Sequence, residues 1–155
     1  MLVVFANNDM LHNMSGAEIL LMDGMFDVPK LMYQLYTIHA KVGETSTPVA
    51  FAMLPKKDTK IYSKLLEKII DSCIERGLSP PNPDAVVVDF ELAAVRSIEW
   101  HLPDSRVTGC LFHLNQNVQR WVTKTLGDEL KQDTGFSMLM RCLVFLANLR
   151  PSDIP

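Results

Sequence analysis

Two short apolar runs in this chain each end on an aspartate. Ile19-Leu20-Leu21-Met22 leads into Asp23-Gly24, and Ala85-Val86-Val87-Val88 leads into Asp89-Phe90. A nearly continuous apolar run of this length reads as a strand covered on both faces. The pattern therefore predicts strands over about 19–24 and 85–89. Tyr33 to Val42 and Thr47 to Leu54 are rich in β-branched and aromatic residues and predict two more strands, joined by a turn at Gly43-Glu44. Strands so close in sequence are most simply antiparallel neighbours in a meander. The period then changes. Tyr62, Leu65, Leu66, Ile69, Ile70 and Cys73 recur at helical spacing, which predicts a helix over about 58–76, capped by Asp58 or Thr59 and stopped at Gly77. Pro80-Pro81-Asn82-Pro83 is a rigid connector. Helices are predicted over about 91–101, 113–126 and 136–149, with a fifth strand over about 106–112. Residues 1–18 carry only a turn signal, at Asn7-Asn8-Asp9.

The order β-β-β-α-β-α-β-α-α predicts an α/β fold with a mixed five-stranded sheet: three antiparallel meander strands, then two parallel ones, with helices on the faces. The first strand would be central and next to the fourth, which sets Asp23 and Asp89 side by side. A carboxylate ending a covered strand is costly to bury unless a cation, hydrogen bonds or a metal compensates it. Two of them on neighbouring strands make a hard, oxygen-rich site of the kind that Mg²⁺ or Mn²⁺ prefers. Each alone reads as the cap of the turn after its strand. Gly24 suits a close backbone approach to a ligand or a positive φ. Asp89 falls at the carboxyl end of its strand, where open α/β sheets bind ligands. Glu91 suits the positive start of the next helix better than a metal site.

A third feature is Cys110-Leu111-Phe112-His113. Structural zinc needs four ligands, and Cys73, Cys142, His39 and His101 are scattered, so no zinc is expected in this segment. In the helix that follows, His113, Gln116, Asn117, Arg120 and Lys124 share one face. Leu114, Val118, Trp121 and Val122 form the adjacent apolar stripe, read as core. The polar face is either solvated or holds His113 near a scissile phosphate, with Arg120 and Lys124 on the nucleic-acid backbone.

Composition narrows the classes. With 155 residues and 48% hydrophobic content the chain has enough material for one folded core. A net charge of -3 excludes a globally basic nucleic-acid surface, so any DNA contact needs a local patch. Three widely spaced cysteines make a poor disulfide framework and suit a reducing, intracellular setting. No apolar run approaches the ~18 residues of a membrane span, and Met1 to Ala6 is too short for a signal peptide. Lys56-Lys57 is only a dipeptide, so no localisation cluster is visible. There is no Gly-rich phosphate loop, Gly-x-Ser-x-Gly or His-Glu-x-x-His, which removes support for NAD, kinase, serine hydrolase and zincin chemistry.

Read together, these segments resemble one family. Leu21-Met22-Asp23-Gly24-Met25-Phe26, then Tyr33-Gln34-Leu35-Tyr36-Thr37-Ile38-His39, then Pro48-Val49-Ala50-Phe51-Ala52-Met53-Leu54, is similar to the start of the catalytic domain of Mutator-like element (MULE) transposases. Val88-Asp89-Phe90-Glu91 with Ala93-Ala94 resembles its second acidic motif. Cys110-Leu111-Phe112-His113 with Gln116-Asn117 resembles its Cys-x-x-His motif. The resemblance runs from about residue 18 to the end. It implies a ribonuclease H-like fold and an Asp-Asp-Glu triad that uses Mg²⁺ or Mn²⁺ to cut and join DNA in cut-and-paste transposition. It also implies DNA as partner and a nuclear location, and leaves room for a homo-oligomer.

Carried over residue by residue, Asp23 is the first acid and Asp89 the second, with Cys110 and His113 an accessory pair. The family's third acid is a glutamate beyond helical segments like 136–149. Glu129 and Asp153 do not sit in a matching context, and Met25 replaces a threonine common after the Asp-Gly pair. The family's upstream zinc-finger-type region is likewise not expected within these residues. The expectation is one incomplete domain over 1–155, its core at about 18–126 and the start of a helical insertion at 127–155, inactive as a nuclease by itself. The rival expectation is a domesticated, non-catalytic remnant that binds DNA or protein.

Overall fold

The computed structural model describes residues 1–25, 33–127, 133–149 and 151–153. These fall into two compact units, Met1–Thr108 and Gly109–Pro155. The first unit is built from strand β1 (Val3–Phe5), helix α1 (Asn8–Ser15), strands β2 (Ile19–Met25), β3 (Gln34–Val42) and β4 (Thr45–Leu54), helix α2 (Thr59–Glu75), strand β5 (Ala85–Val88), helix α3 (Leu92–His101) and strand β6 (Arg106–Gly109), whose last residue opens the second unit. The strands form one mixed sheet in the order β1-β4-β3-β2-β5-β6.

The expected meander is present. β2 pairs antiparallel with β3, and β3 with β4 across a turn at Gly43, whose φ of 58° is one that glycine adopts without strain. Pro48, which lacks an N–H for the ladder, sits at the register shift after Ile38/Ala50. β2 also pairs parallel with β5, so it is central, as the element order predicts.

The sheet has six strands, not five. The sixth is β1, three residues that extend the β4 edge antiparallel through Val3↔Met53 and Phe5↔Phe51. A run that short gives no usable period. α1 was also unexpected: Asn7 accepts from the Met10 N–H at 2.8 Å and caps a helix that buries Leu11 and Met14. The same asparagine chemistry serves turns and helix caps, and here the cap prevails. β6 stops at Gly109 rather than continuing to 112, because Leu111 and Phe112 already belong to the following helix.

Along β2 and β3 the residues Leu20, Met22, Tyr36, Ile38 and Ala40 are buried, with Val86 and Val88 of β5 beside them. Tyr62, Leu65, Leu66 and Ile69 of α2, Ala94 and Ile98 of α3 and Met14 of α1 join them in one apolar cluster. Each fully buried Leu or Ile there contributes roughly 1.5–3 kcal/mol. The alternate residues of β2 behave differently: Leu21 is half-buried and Asp23 exposed.

The second unit holds helices α4 (Leu111–Leu126) and α5 (Thr134–Phe145), followed by 3₁₀ turns at Leu146–Asn148 and Pro151–Asp153. Among its described residues Val122 and Val144 are buried. Trp121, expected in the core stripe, is 60% exposed. It borders an apolar groove with Leu114, Val118, Met140 and Leu143, because two helices alone cannot close around a side chain that large.

Candidate active site

The two aspartates reach their positions through strand register. β2 and β5 align as Leu21↔Val87 and Met22↔Val88. Asp23 and Asp89 each follow directly on the last pair of that register, Asp23 within β2 and Asp89 just past the end of β5. Met22 points into the core, and strand alternation sends Asp23 to the opposite face. The charges of both aspartates act on Tyr36, together with that of Glu91.

Each aspartate also has the turn-capping role open to it. Asp23 Oδ1 accepts the Gly24 N–H at 2.8 Å, and Asp89 Oδ1 accepts the Glu91 N–H at 3.1 Å. A carboxylate has about four lone-pair sites, so one such bond does not preclude a metal. Gly24 does not adopt a positive φ. It is needed for packing: a Cβ there would overlap Nε2 of Gln34, with the Tyr36 ring close by.

Gln34 belongs to a buried polar cluster beneath the acids. Gln34 is 0% exposed, Tyr62 2% and Tyr36 3%. The Tyr62 hydroxyl lies 3.0 Å from Gln34 Oε1 and 3.1 Å from Glu91 Oε2. The Tyr36 and Tyr62 rings stack tilted, with centroids 5.1 Å apart. Burial pushes both phenols well above their usual range. Burial also raises the Glu91 carboxyl, and the Tyr62 hydrogen bond and the Lys57 charge pull it back. Glu91 occupies the N-cap position of α3 but makes no cap bond; its carboxylate turns to Tyr62 instead. The sequence signal for this cluster is faint. It is one polar residue, Gln34, in step with the core-facing positions Tyr36 and Ile38.

On the second unit, Cys110 is the N-cap residue of α4 without a side-chain cap bond, and its thiol is free. His113 is half-buried in the first turn, edge-on to the Phe112 ring at 5.5 Å. Arg120 Nη2 donates to Gln116 Oε1 at 3.1 Å. With Gln119, Thr123 and Lys124 these two residues line a shallow polar concavity. Glu129 lies outside the described residues, as does Phe26 of the first motif. Asp153 lies on the last 3₁₀ turn and accepts from the Ser152 hydroxyl at 3.2 Å.

Carboxylates that follow the ends of one strand pairing are donors that suit a hard divalent cation. Mg²⁺ typically takes one or two carboxylates and keeps several waters. Among the described residues no group of three or more His, Cys, Asp or Glu is placed to hold a metal. Nor is any described helix long and apolar enough to cross a membrane.

No match to the chain is found among curated proteins. The family model of the MULE transposase domain, however, matches residues 19–117. The match opens on the first residue of β2 and closes inside α4. It takes in Asp23, Asp89, Glu91, Cys110 and His113, while Arg120 and Lys124 lie beyond it. With more than half of its length matched, and both aspartates inside the match, the chain belongs to the MULE transposase domain family.

Proposed function

We propose that this domain performs the metal-dependent phosphoryl transfer of a DNA transposase, from a ribonuclease H-like fold. One observation supports the reading above the rest: β2 and β5 are parallel neighbours, and Asp23 and Asp89 each come directly after their last paired residues, Met22 and Val88. The β2–β3–β4 meander followed by β5 and β6 supports the fold assignment, and the family match supports the chemistry.

Asp23 and Asp89 are the residues that would hold Mg²⁺ or Mn²⁺. A two-ion centre, when bound, supplies activation of water or a DNA 3′-hydroxyl and stabilises the leaving oxygen. The chain's own part is positional. The N–H groups of Gly24 and Glu91 fix one oxygen of each aspartate, and Tyr62 fixes the Glu91 side chain in turn. From α4, His113, Arg120 and Lys124 present donors for DNA phosphates, and Cys110 stands as accessory at the helix start. No third acid joins Asp23 and Asp89 among the described residues, so we expect this chain alone to cut DNA weakly or not at all.

Thermal melts of the full chain with and without Mn²⁺ test the site. Mn²⁺ should raise the melting temperature of the wild type and leave Asp23→Asn and Asp89→Asn unmoved. Equal shifts in all three proteins would remove the metal role. Labelled duplex incubated with Mn²⁺ tests the expected inactivity. Robust cutting that Asp23→Ala abolishes would show that two acids suffice.

A further inference from the structure

Sequence composition requires that any DNA contact come from a local patch, and α2 carries one. Five of the nine lysines lie in the short segment Lys56, Lys57, Lys60, Lys64 and Lys68. All five are exposed. Lys60, Lys64 and Lys68 step by four and so share one side of α2. That side faces away from Tyr62, Leu65 and Ile69, which go to the core. Among the described residues Lys56, Lys60, Lys64 and Lys68 have no ion pair or hydrogen bond.

Two of the acids nearby have neighbours of their own. Asp58 caps the helix by accepting the Ile61 N–H at 2.9 Å, and Glu67 lies 3.9 Å from His101 on α3. Asp71 stands beyond Lys68, at the far end. Like charges four residues apart oppose helix formation, so the row is not explained by the stability of α2. On the core side of the same helix Tyr62 bonds Glu91, and the charge of Lys57, just before α2, acts on the same carboxylate.

We propose that the lysine row of α2 is a binding surface for the phosphate backbone of duplex DNA; this rests on the DNA-processing reading above. From Lys60 to Lys68 the helix rises about 12 Å. That is room for three or four phosphates of one strand at about 3.4 Å per step. Ammonium groups on flexible stems hold phosphates without reading bases, so the surface is indifferent to sequence. Its partner is a polyanion of regular charge spacing.

The test is the binding of a labelled duplex of arbitrary sequence to the full chain, measured across a salt series. The triple variant K60Q/K64Q/K68Q keeps good helix formers at exposed positions, and its thermal melt should match the wild type. Its slope of log affinity against log salt should be shallower by about 0.9 for each phosphate no longer neutralised, and its low-salt affinity lower by about tenfold or more. K41Q, on the β3–β4 hairpin, should bind as the wild type does. An unchanged slope in the triple variant overturns the proposal. So does equal weakening by K41Q, or binding of anionic lipid vesicles in place of duplex. The same triple variant separates this surface from the site reading, because it should keep the Mn²⁺ rise in melting temperature while losing duplex affinity. Duplex binding through the row without any Mn²⁺ effect on the wild type would sink the site reading and leave the surface standing.

Discussion

The Tyr62 hydroxyl lies 3.1 Å from a carboxylate oxygen of Glu91. The same hydroxyl lies 3.0 Å from Gln34 Oε1, yet a phenol carries one proton for these two acceptors. Turning the Gln34 amide over resolves the count. Its Nε2, a buried donor otherwise without an acceptor, then donates to Tyr62, and Tyr62 donates to Glu91. Tyr62→Phe removes the shared link and leaves buried polar groups unsatisfied. It should cost about 1–3 kcal/mol in urea unfolding, whereas Glu91→Gln, which keeps an acceptor, should cost less. A Tyr62→Phe protein as stable as the wild type would show that the link contributes nothing.

Gly24 and Gln34 form a lock of a different kind, since the amide fills the space a side chain at 24 would need. Gly24→Ala should destabilise the fold by about 1–3 kcal/mol through overpacking. Shortening the obstruction should recover part of that loss, so Gly24→Ala and Gln34→Ala should be non-additive in a double-mutant cycle. Strict additivity would place the cost elsewhere.

Tyr36 gives the stability of the fold an alkaline limit. Unfolded, its phenol titrates near the ordinary tyrosine value of 10.0, and burial raises it well above that in the fold. The folded chain then holds a proton that the unfolded chain releases. Stability is therefore complete below about pH 10 and falls as pH rises beyond it. Tyr36→Phe should flatten that decline in denaturant melts above about pH 10. Since the Tyr36 hydroxyl is buried without a hydrogen-bond partner, the variant should lose nothing at neutral pH. An alkaline decline identical in both proteins would contradict this.

Asn7→Ala should loosen α1, because the Met10 N–H loses its side-chain acceptor. The expected cost is about 1 kcal/mol, with Asn7→Asp close to neutral. Equal stability of Asn7→Ala and the wild type would show that α1 is held by Leu11 and Met14 alone.

How much of this was readable in the sequence depends on how local each signal is. β2 and β5 announce themselves by apolar runs, α2 by its period, and the aspartates by closing those runs. Register then follows, since only one pairing sends Met22 and Val88 together into the core. β1 is too short to show a period, and at Asn7 a helix cap looks like a turn. The run Cys110-Leu111-Phe112 has the composition of a strand, but it starts a helix, with Phe112 63% exposed. The Gln34–Tyr62–Glu91 cluster joins three elements distant in the chain, and no local pattern encodes it.

The β2–β5 pairing also governs when the acid pair comes into being. Its partners, Ile19 with Ala85 through Met22 with Val88, are separated by the whole meander, α2 and the proline connector. Contacts of such long range close slowly, after hairpins and helices have formed. During synthesis the first aspartate must therefore wait on the ribosome for β5 to emerge. In a chain that begins to open, hydrogen exchange should find the amides of this parallel ladder losing protection while those of α2 still hold theirs.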